Sequence, residues 1–249
     1  MTADSADGDA GPGDSGDSDS GGSSAEPRPD AARPGGSGQP LGPVRRVGER
    51  ALLIELPGTA EVTSLYGWLR EQREAGALGA VEELVPAART VLLDGVADVD
   101  AVARLLRTSR PTAAAAAGAE RGPALEVPTV YDGADLAEVA ALWGVSEEAA
   151  VRIHTEPEYV VAFCGFAPGF GYLTGLPGRY EVPRRATPRS SVPTGSVALA
   201  GPYTGVYPHP SPGGWQLVGR TALPLWDTDR DPPALLAPGV RVRFTAQRG

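Results

Sequence analysis

The chain has 249 residues, 41% of them hydrophobic, which is enough for one large domain or two modest ones, and a net charge of −9. All 22 bases are arginine, so the chain holds no Schiff-base lysine, no biotin-carrying lysine and no phosphate-binding lysine of a P-loop. No run of about 18 apolar residues occurs, so no membrane-spanning helix is expected.

The charge is unevenly placed. Residues 1–40 hold eight of the 31 acids and two of the 22 bases, which leaves 23 acids against 20 bases in the rest. That near-neutral remainder suggests neither a nucleic acid nor a membrane as partner. Residues 1–42 are Gly, Ser, Asp and Pro with almost no large apolar side chain, and a disordered acidic tail is expected there because such a segment buries too little surface to offset its ordering entropy. Met1-Thr2-Ala3-Asp4 carries an acid where an export signal needs bases and an apolar run, and Cys164 has no second cysteine to pair with. Both features predict the cytoplasm.

A small α+β domain is expected over residues 43–111. Ala51-Leu52-Leu53-Ile54-Glu55-Leu56 reads as a strand, and the next segment places Val62, Leu65, Tyr66 and Leu69 on one helical face. Val81–Val85 and Val91-Leu92-Leu93 read as strands joined by a turn at Pro86-Ala87-Ala88-Arg89, and Val99, Val102, Leu105 and Leu106 give a second amphipathic helix. One more strand would complete a split βαβ, ferredoxin-like sandwich. Leu125-Glu126-Val127 is either that strand or the first of the next domain. Residues 112–124, with the run Ala113-Ala114-Ala115-Ala116-Ala117, are expected to be a linker, or else a short helix.

The second domain is expected over residues 125–245. Asp135 to Gly144 reads as a helix ending at glycine, and Ser146, with Glu147 and Glu148 behind it, caps another. Beyond His154 the text is rich in Gly and Pro. Short apolar runs at Val160–Phe163, Ser196–Ala200, Gln216–Val218 and Val240–Phe244 predict a mainly β barrel or sandwich.

The helix pair around Gly144 has the outline of a helix-turn-helix. Its second helix would present Glu147, Glu148, Glu156 and Glu158 to phosphates with Arg152 alone opposing, so two helices packed on the barrel are expected instead. Cys164 lies between Phe163 and Phe166 in sequence, which suits a buried, inert thiol. Two histidines and one cysteine far apart in sequence match no common metal-ligand spacing.

The densest chemistry lies between Phe163 and Thr221. Gly165-Phe166-Ala167-Pro168-Gly169-Phe170-Gly171-Tyr172-Leu173 opens it, Pro183-Arg184-Arg185-Ala186-Thr187-Pro188-Arg189 follows, and Thr204-Gly205-Val206-Tyr207-Pro208 and Ser211-Pro212-Gly213-Gly214-Trp215 close it. Glycines admit a ligand to backbone N–H groups and prolines hold loops in one shape. Arginines offer forked donors to phosphate or carboxylate, and Tyr172, Tyr207 and Trp215 can wall a small-molecule pocket. Spacing alone fits equally well with Gly and Pro turning barrel corners while the arginines sit in solvent.

These blocks resemble the family of the 5-oxoprolinase B-type subunits, KipI and allophanate hydrolase subunit 1 (carboxyltransferase subdomain C/D), in family order from about Val44 to Phe244. Val192-Pro193-Thr194-Gly195-Ser196, Arg-Ile-His154-Thr and Pro86-Ala87-Ala88-Arg89-Thr90 carry the likeness too. One position departs: the family usually has glutamine where this chain has Tyr203, which bears on substrate identity. The resemblance implies a small α+β domain followed by a cyclophilin-like β-barrel. It also implies two partners, a larger one of the KipA or allophanate hydrolase subunit 2 type and a third of the LamB/YcsF type. The activity implied is ATP-dependent opening of 5-oxoproline to glutamate, with the isolated chain inactive. A KipI-type inhibitor of a sensor histidine kinase and an accessory role in urea or allophanate metabolism are the alternatives. On this reading Arg184 and Arg189 bind anions, Tyr172, Thr204, Tyr207 and Ser211 line the pocket, and Gly213 and Gly214 supply backbone donors. His209, inside a signature block, is the candidate for proton transfer. Magnesium enters with ATP.

Overall fold

The computed structural model describes residues 42–108 and 124–248. The expected tail and linker lie outside the described residues but for their last positions, 42 and 124. In the N-terminal half, strands β1 (Val44–Val47), β2 (Ala51–Glu55), β3 (Glu83–Pro86) and β4 (Thr90–Asp94) form one antiparallel sheet in the order β1-β2-β4-β3. Helices α1 (Thr59–Glu74) and α2 (Val99–Thr108) belong to the same half. Alternation explains the buried face: Leu52 is paired with Leu93 and Ile54 with Val91, and all four are buried beneath Val62, Leu65 and Leu69 of α1 and Val102 and Leu106 of α2. Trp68 is buried with them, whereas Tyr66 is half-buried.

The fourth strand of this sheet is not where a split βαβ unit has it. It precedes β2 as a hairpin, Val44↔Ile54 to Val47↔Ala51, instead of following α2. Leu125 and its successors instead form β5 (Leu125–Val130), which runs parallel to β13 (Arg241–Gln247) in register from Val242↔Leu125 to Gln247↔Val130. A hairpin closes through a short local turn, while β5 buries Val127 and Thr129 in the second half.

That half contains α3 (Leu136–Trp143), α4 (Glu147–Thr155), β6 (Tyr159–Cys164), β7 (Gly171–Thr174), β8 (Arg189–Val192), β9 (Ser196–Ala200), β10 (Tyr203–Val206), β11 (Ser211–Gly213) and β12 (Gln216–Arg220). Seven strands close a barrel in the order β10-β7-β6-β13-β5-β12-β9, and β8 pairs with β11 as a separate ribbon. Val127, Val161, Leu173, Val197, Leu199, Val206, Val242 and Phe244 belong to its core, each contributing roughly 1.5–3 kcal/mol over exposure when fully buried. The helices α3 and α4 pack against β12 and β13, with Ser146 accepting the Ala149 N–H at the start of α4. No helix among the described residues is long and apolar enough to cross a membrane.

Candidate functional site

Strand alternation divides β9 and β10 between two surfaces. Val197, Leu199 and Val206 enter the barrel core, while Ala198 and Ala200 belong to a second, smaller cluster on the other side of the sheet. Small side chains there give aromatic rings a floor to lie on. At Gly205 an added Cβ would stand 2.8 Å from Phe170 Cζ and 3.0 Å from Trp215 Cζ3, so the absence of a side chain is what admits both rings. Phe170, Tyr172, Tyr203, Tyr207 and Trp215 assemble over this floor through edge-on contacts at centroid distances of 5.1–5.6 Å. Phe163 stacks on Tyr172 at 4.3 Å. Phe166 stands at the rim, 58% exposed and in the left-handed region at φ 70, edge-on to Phe170 and Tyr207. That conformation costs a non-glycine residue about 1–2 kcal/mol, so its neighbours impose it.

Arginines border the cluster. Burial lifts the phenols of Tyr172 and Tyr207 above the ordinary tyrosine range, and the charge of Arg184 opposes the shift at both, which places Arg184 electrostatically at this wall. Arg184 is exposed and makes no hydrogen bond or ion pair among the described residues. Arg185 and Arg189, by contrast, are engaged. Asp135, 3% exposed, accepts from Arg185 Nη1 at 2.6 Å and Arg189 Nη2 at 2.8 Å on Oδ1, and from the Leu217 N–H at 2.7 Å on Oδ2. The ribbon folds these arginines against the glycines: Arg189 pairs with Gly213, and the Arg185 N–H donates to Gly214 O at 2.8 Å. A Cβ at Gly213 would sit 2.2 Å from the Tyr207 hydroxyl, so glycine is required for this approach.

The fold thus brings together Tyr172, Arg184, Arg189, Tyr207, Gly213 and Gly214. It turns Thr204 the other way, into the barrel at 0% exposure. His209 and Ser211 form a turn of their own, the Ser211 hydroxyl donating to His209 O at 3.2 Å, and the His209 ring makes no hydrogen bond or aromatic contact among the described residues. Sequence reasoning missed Asp135 and the role of Tyr203. The Tyr203 hydroxyl lies 2.7 Å from Thr59 Oγ1, whose own hydrogen goes to Ala88 O at 3.1 Å, so the tyrosine donates. One side chain therefore belongs to the aromatic wall and is bonded to the first helix of the N-terminal half. Asp135 had one signal in the sequence, an acid immediately ahead of an apolar helix.

His154 and Cys164 lie elsewhere. The His154 ring is buried among Tyr131, Tyr159 and Phe244, with Nδ1 2.7 Å from the Tyr131 hydroxyl and Nε2 3.5 Å from Thr204 Oγ1. Burial pushes its pKa down to about 3, so the ring is neutral, with one nitrogen donating its N–H and the other accepting from a hydroxyl. The Cys164 thiol donates to Leu236 O at 3.3 Å and burial pushes its pKa up to about 11, which makes it a poor nucleophile. No group of three His, Cys, Asp or Glu among the described residues is placed to hold a metal ion.

The family described as carboxyltransferase domain, subdomain C and D, matches residues 43–236. A protein of Escherichia coli O157:H7 named as the B subunit of 5-oxoprolinase is 56% identical over 105 residues, which is 42% of this chain and 48% of that protein. The chain thus matches about half the length of this relative. The crystal structure of TTHA0988 superposes with a TM-score of 0.66 at 35% identity, over 80% of this chain and 41% of the other. Urea amidolyase of K. lactis shares the fold at 19% identity with a TM-score of 0.57, over 82% of this chain and 15% of that one.

Proposed function

The chain belongs to the carboxyltransferase domain, subdomain C and D, family, and from that premise we propose that it is the small subunit of an ATP-dependent 5-oxoprolinase. The observation that carries the reading is an exposed Arg184 with no hydrogen bond or ion pair among the described residues, whose charge acts on the phenols of Tyr172 and Tyr207, beside an Arg189 held by Asp135. The substrate, 5-oxoproline, is a small carboxylate on a lactam ring. Its amide resonance slows direct attack by water. Transfer of the γ-phosphoryl group of ATP to the lactam oxygen turns that oxygen into a leaving group. Water then adds to the ring carbon, the C–N bond breaks with a proton passing to the ring nitrogen, and a second water cleaves the resulting γ-glutamyl phosphate, so that glutamate, ADP and phosphate leave.

Such chemistry asks for cations at the oxyanions and for a wall against bulk water. In this reading Arg184 meets the carboxylate or the transferred phosphoryl group, and the rings of Tyr172, Tyr207 and Trp215 wall the lactam. Magnesium accompanies the ATP phosphates. His209 keeps its proposed part as proton carrier in the assembled enzyme, where a partner surface would complete its surroundings. The partners are a larger protein of the KipA type and a third of the LamB/YcsF type, and the chain alone has little turnover.

The test is co-expression with those two partners, followed by assay of 5-oxoproline-dependent ATP hydrolysis. Arg184→Ala should lower activity about ten- to hundredfold, the cost of one charge-assisted contact, without loss of assembly. Turnover with urea or allophanate but not 5-oxoproline would replace the substrate, and full activity of the isolated chain would refute the dependence on partners.

A further inference from the structure

Asp135 holds two arginines at once. One buried carboxylate accepts from two guanidiniums through the same oxygen, while its other oxygen is taken by the Leu217 N–H and its own backbone N–H donates to Leu217 O at 2.9 Å. The remaining neighbour of opposite charge is Glu138, whose carboxylate stands 3.8 Å from Arg185 and is itself largely exposed. Burial by itself would raise the Asp135 pKa, but the Arg189 hydrogen bond, the Leu217 N–H and the charges of Arg189 and Arg185 hold it below the ordinary carboxylate range.

The donors are not all used. Arg185 Nε and Arg189 Nη1 are buried without a hydrogen-bond partner, and so is Gln216 Oε1 on the adjoining strand. A carboxylate serving as a structural brace would be matched to one arginine with every donor satisfied, since an unmet buried donor is costly. Here the node retains spare N–H groups. It also reaches the aromatic wall: Arg189 is paired with Gly213, which lies against the Tyr207 hydroxyl, and Tyr207 feels the charges of both Arg184 and Arg189.

We infer that Asp135 is a positioning residue for the arginine face, fixing the guanidinium planes of Arg185 and Arg189 so that, with the exposed Arg184, the face is set to receive a small oxyanion. The oxyanion is either the carboxylate of the substrate or a transferred phosphoryl group. The inference rests on the reading of this face as the substrate site. Asp135 touches neither reactant. It acts through the arginines, because a fork must be oriented before it can form two parallel bonds.

The experiment compares Asp135→Asn, Asp135→Glu and Arg184→Ala in the assembled enzyme, measuring KM and kcat for 5-oxoproline and for ATP, inhibition by inorganic phosphate, and melting temperature. Asp135→Asn should raise one KM about ten- to hundredfold with a smaller change in kcat, and Asp135→Glu should recover part of the loss. A rise for 5-oxoproline alone identifies the carboxylate. A rise for ATP with weakened phosphate inhibition identifies the phosphoryl group. A lowered melting temperature with both KM values unchanged overturns the positioning role and makes Asp135 a brace. If Arg184→Ala raises KM while Asp135→Asn does not, the positioning role fails and the site stands; if both are silent, the site reading fails as well. Should Asp135→Asn not fold, nitrogen NMR of the arginine side chains in the wild-type chain decides. The Arg189 Nη resonances should shift on addition of 5-oxoproline or inorganic phosphate, and unchanged resonances with both would overturn the inference.

Discussion

Inside the barrel His154 meets hydroxyls; on the outer face Asp135 meets guanidiniums. Each is centred on a buried group, and both tie together segments distant in sequence, yet they are finished differently. The inner one is neutral and closed. Tyr131 and Thr204 occupy the two ring nitrogens, Thr204 reaches the Tyr159 phenol, and that phenol donates to His154 O at 2.9 Å. The outer one is charged and left open, with unmet buried donors. A neutral network satisfied within itself adds stability and uniqueness to a core. An incompletely matched charged one costs stability, and the return on that cost is sought in a ligand.

The inner cluster should respond most strongly, through pH. His154 has a folded pKa of about 3 against 6.5 when unfolded, so the unfolded chain takes up its proton first. The stability this gives is complete above about pH 6.5 and is lost as pH falls from there toward 3, at roughly 1.4 kcal/mol per pH unit. Chemical denaturation should therefore show about 2 kcal/mol less stability at pH 5 than at pH 7 from this residue. His154→Phe should flatten that limb, at the expense of about 1–3 kcal/mol at pH 7 for stranding the Tyr131 hydroxyl. An acid limb unchanged in the variant would mean that other groups govern it.

A smaller effect is expected where the wall meets the N-terminal half. Tyr203→Phe removes the donor to Thr59 and keeps the ring on Tyr172, so about 0.5–1.5 kcal/mol should be lost in thermal unfolding, with Trp215 fluorescence unaltered if the wall itself is undisturbed. A shift in the emission spectrum would show that the hydroxyl also holds the aromatic packing. Smallest of all is a control on the charged cluster. Arg220 and Asp132 pair at 2.9 Å, but both are largely exposed, so Arg220→Ala should change stability by less than about 0.5 kcal/mol. A greater loss would show that exposure is a poor guide to the worth of ion pairs in this barrel, and would weaken the contrast drawn with Asp135.

The sequence by itself determined the periodic elements. The spacing of Val62, Leu65 and Leu69, the apolar run Val91-Leu92-Leu93 and the Ser146 cap each encode their structure within a few residues, and the structure has them as α1, β4 and α4. Clustering of arginine with glycine and aromatic residues also marked a stretch whose side chains the structure gathers on the outer face. Tertiary structure decided what local pattern cannot carry. β1 is Val44-Arg45-Arg46-Val47, largely exposed, and becomes a strand because Ala51–Ile54 lies beside it. Which of Tyr203 and Thr204 faces the wall and which faces His154 depends on register, since a shift of one residue exchanges the two faces. Asp135 finds Arg189 across 54 positions and Thr59 finds Tyr203 across 144, contacts whose partners are named by chain closure and by no feature near either residue. A side chain states in sequence what it can bond to; where the chain returns decides what it does bond to.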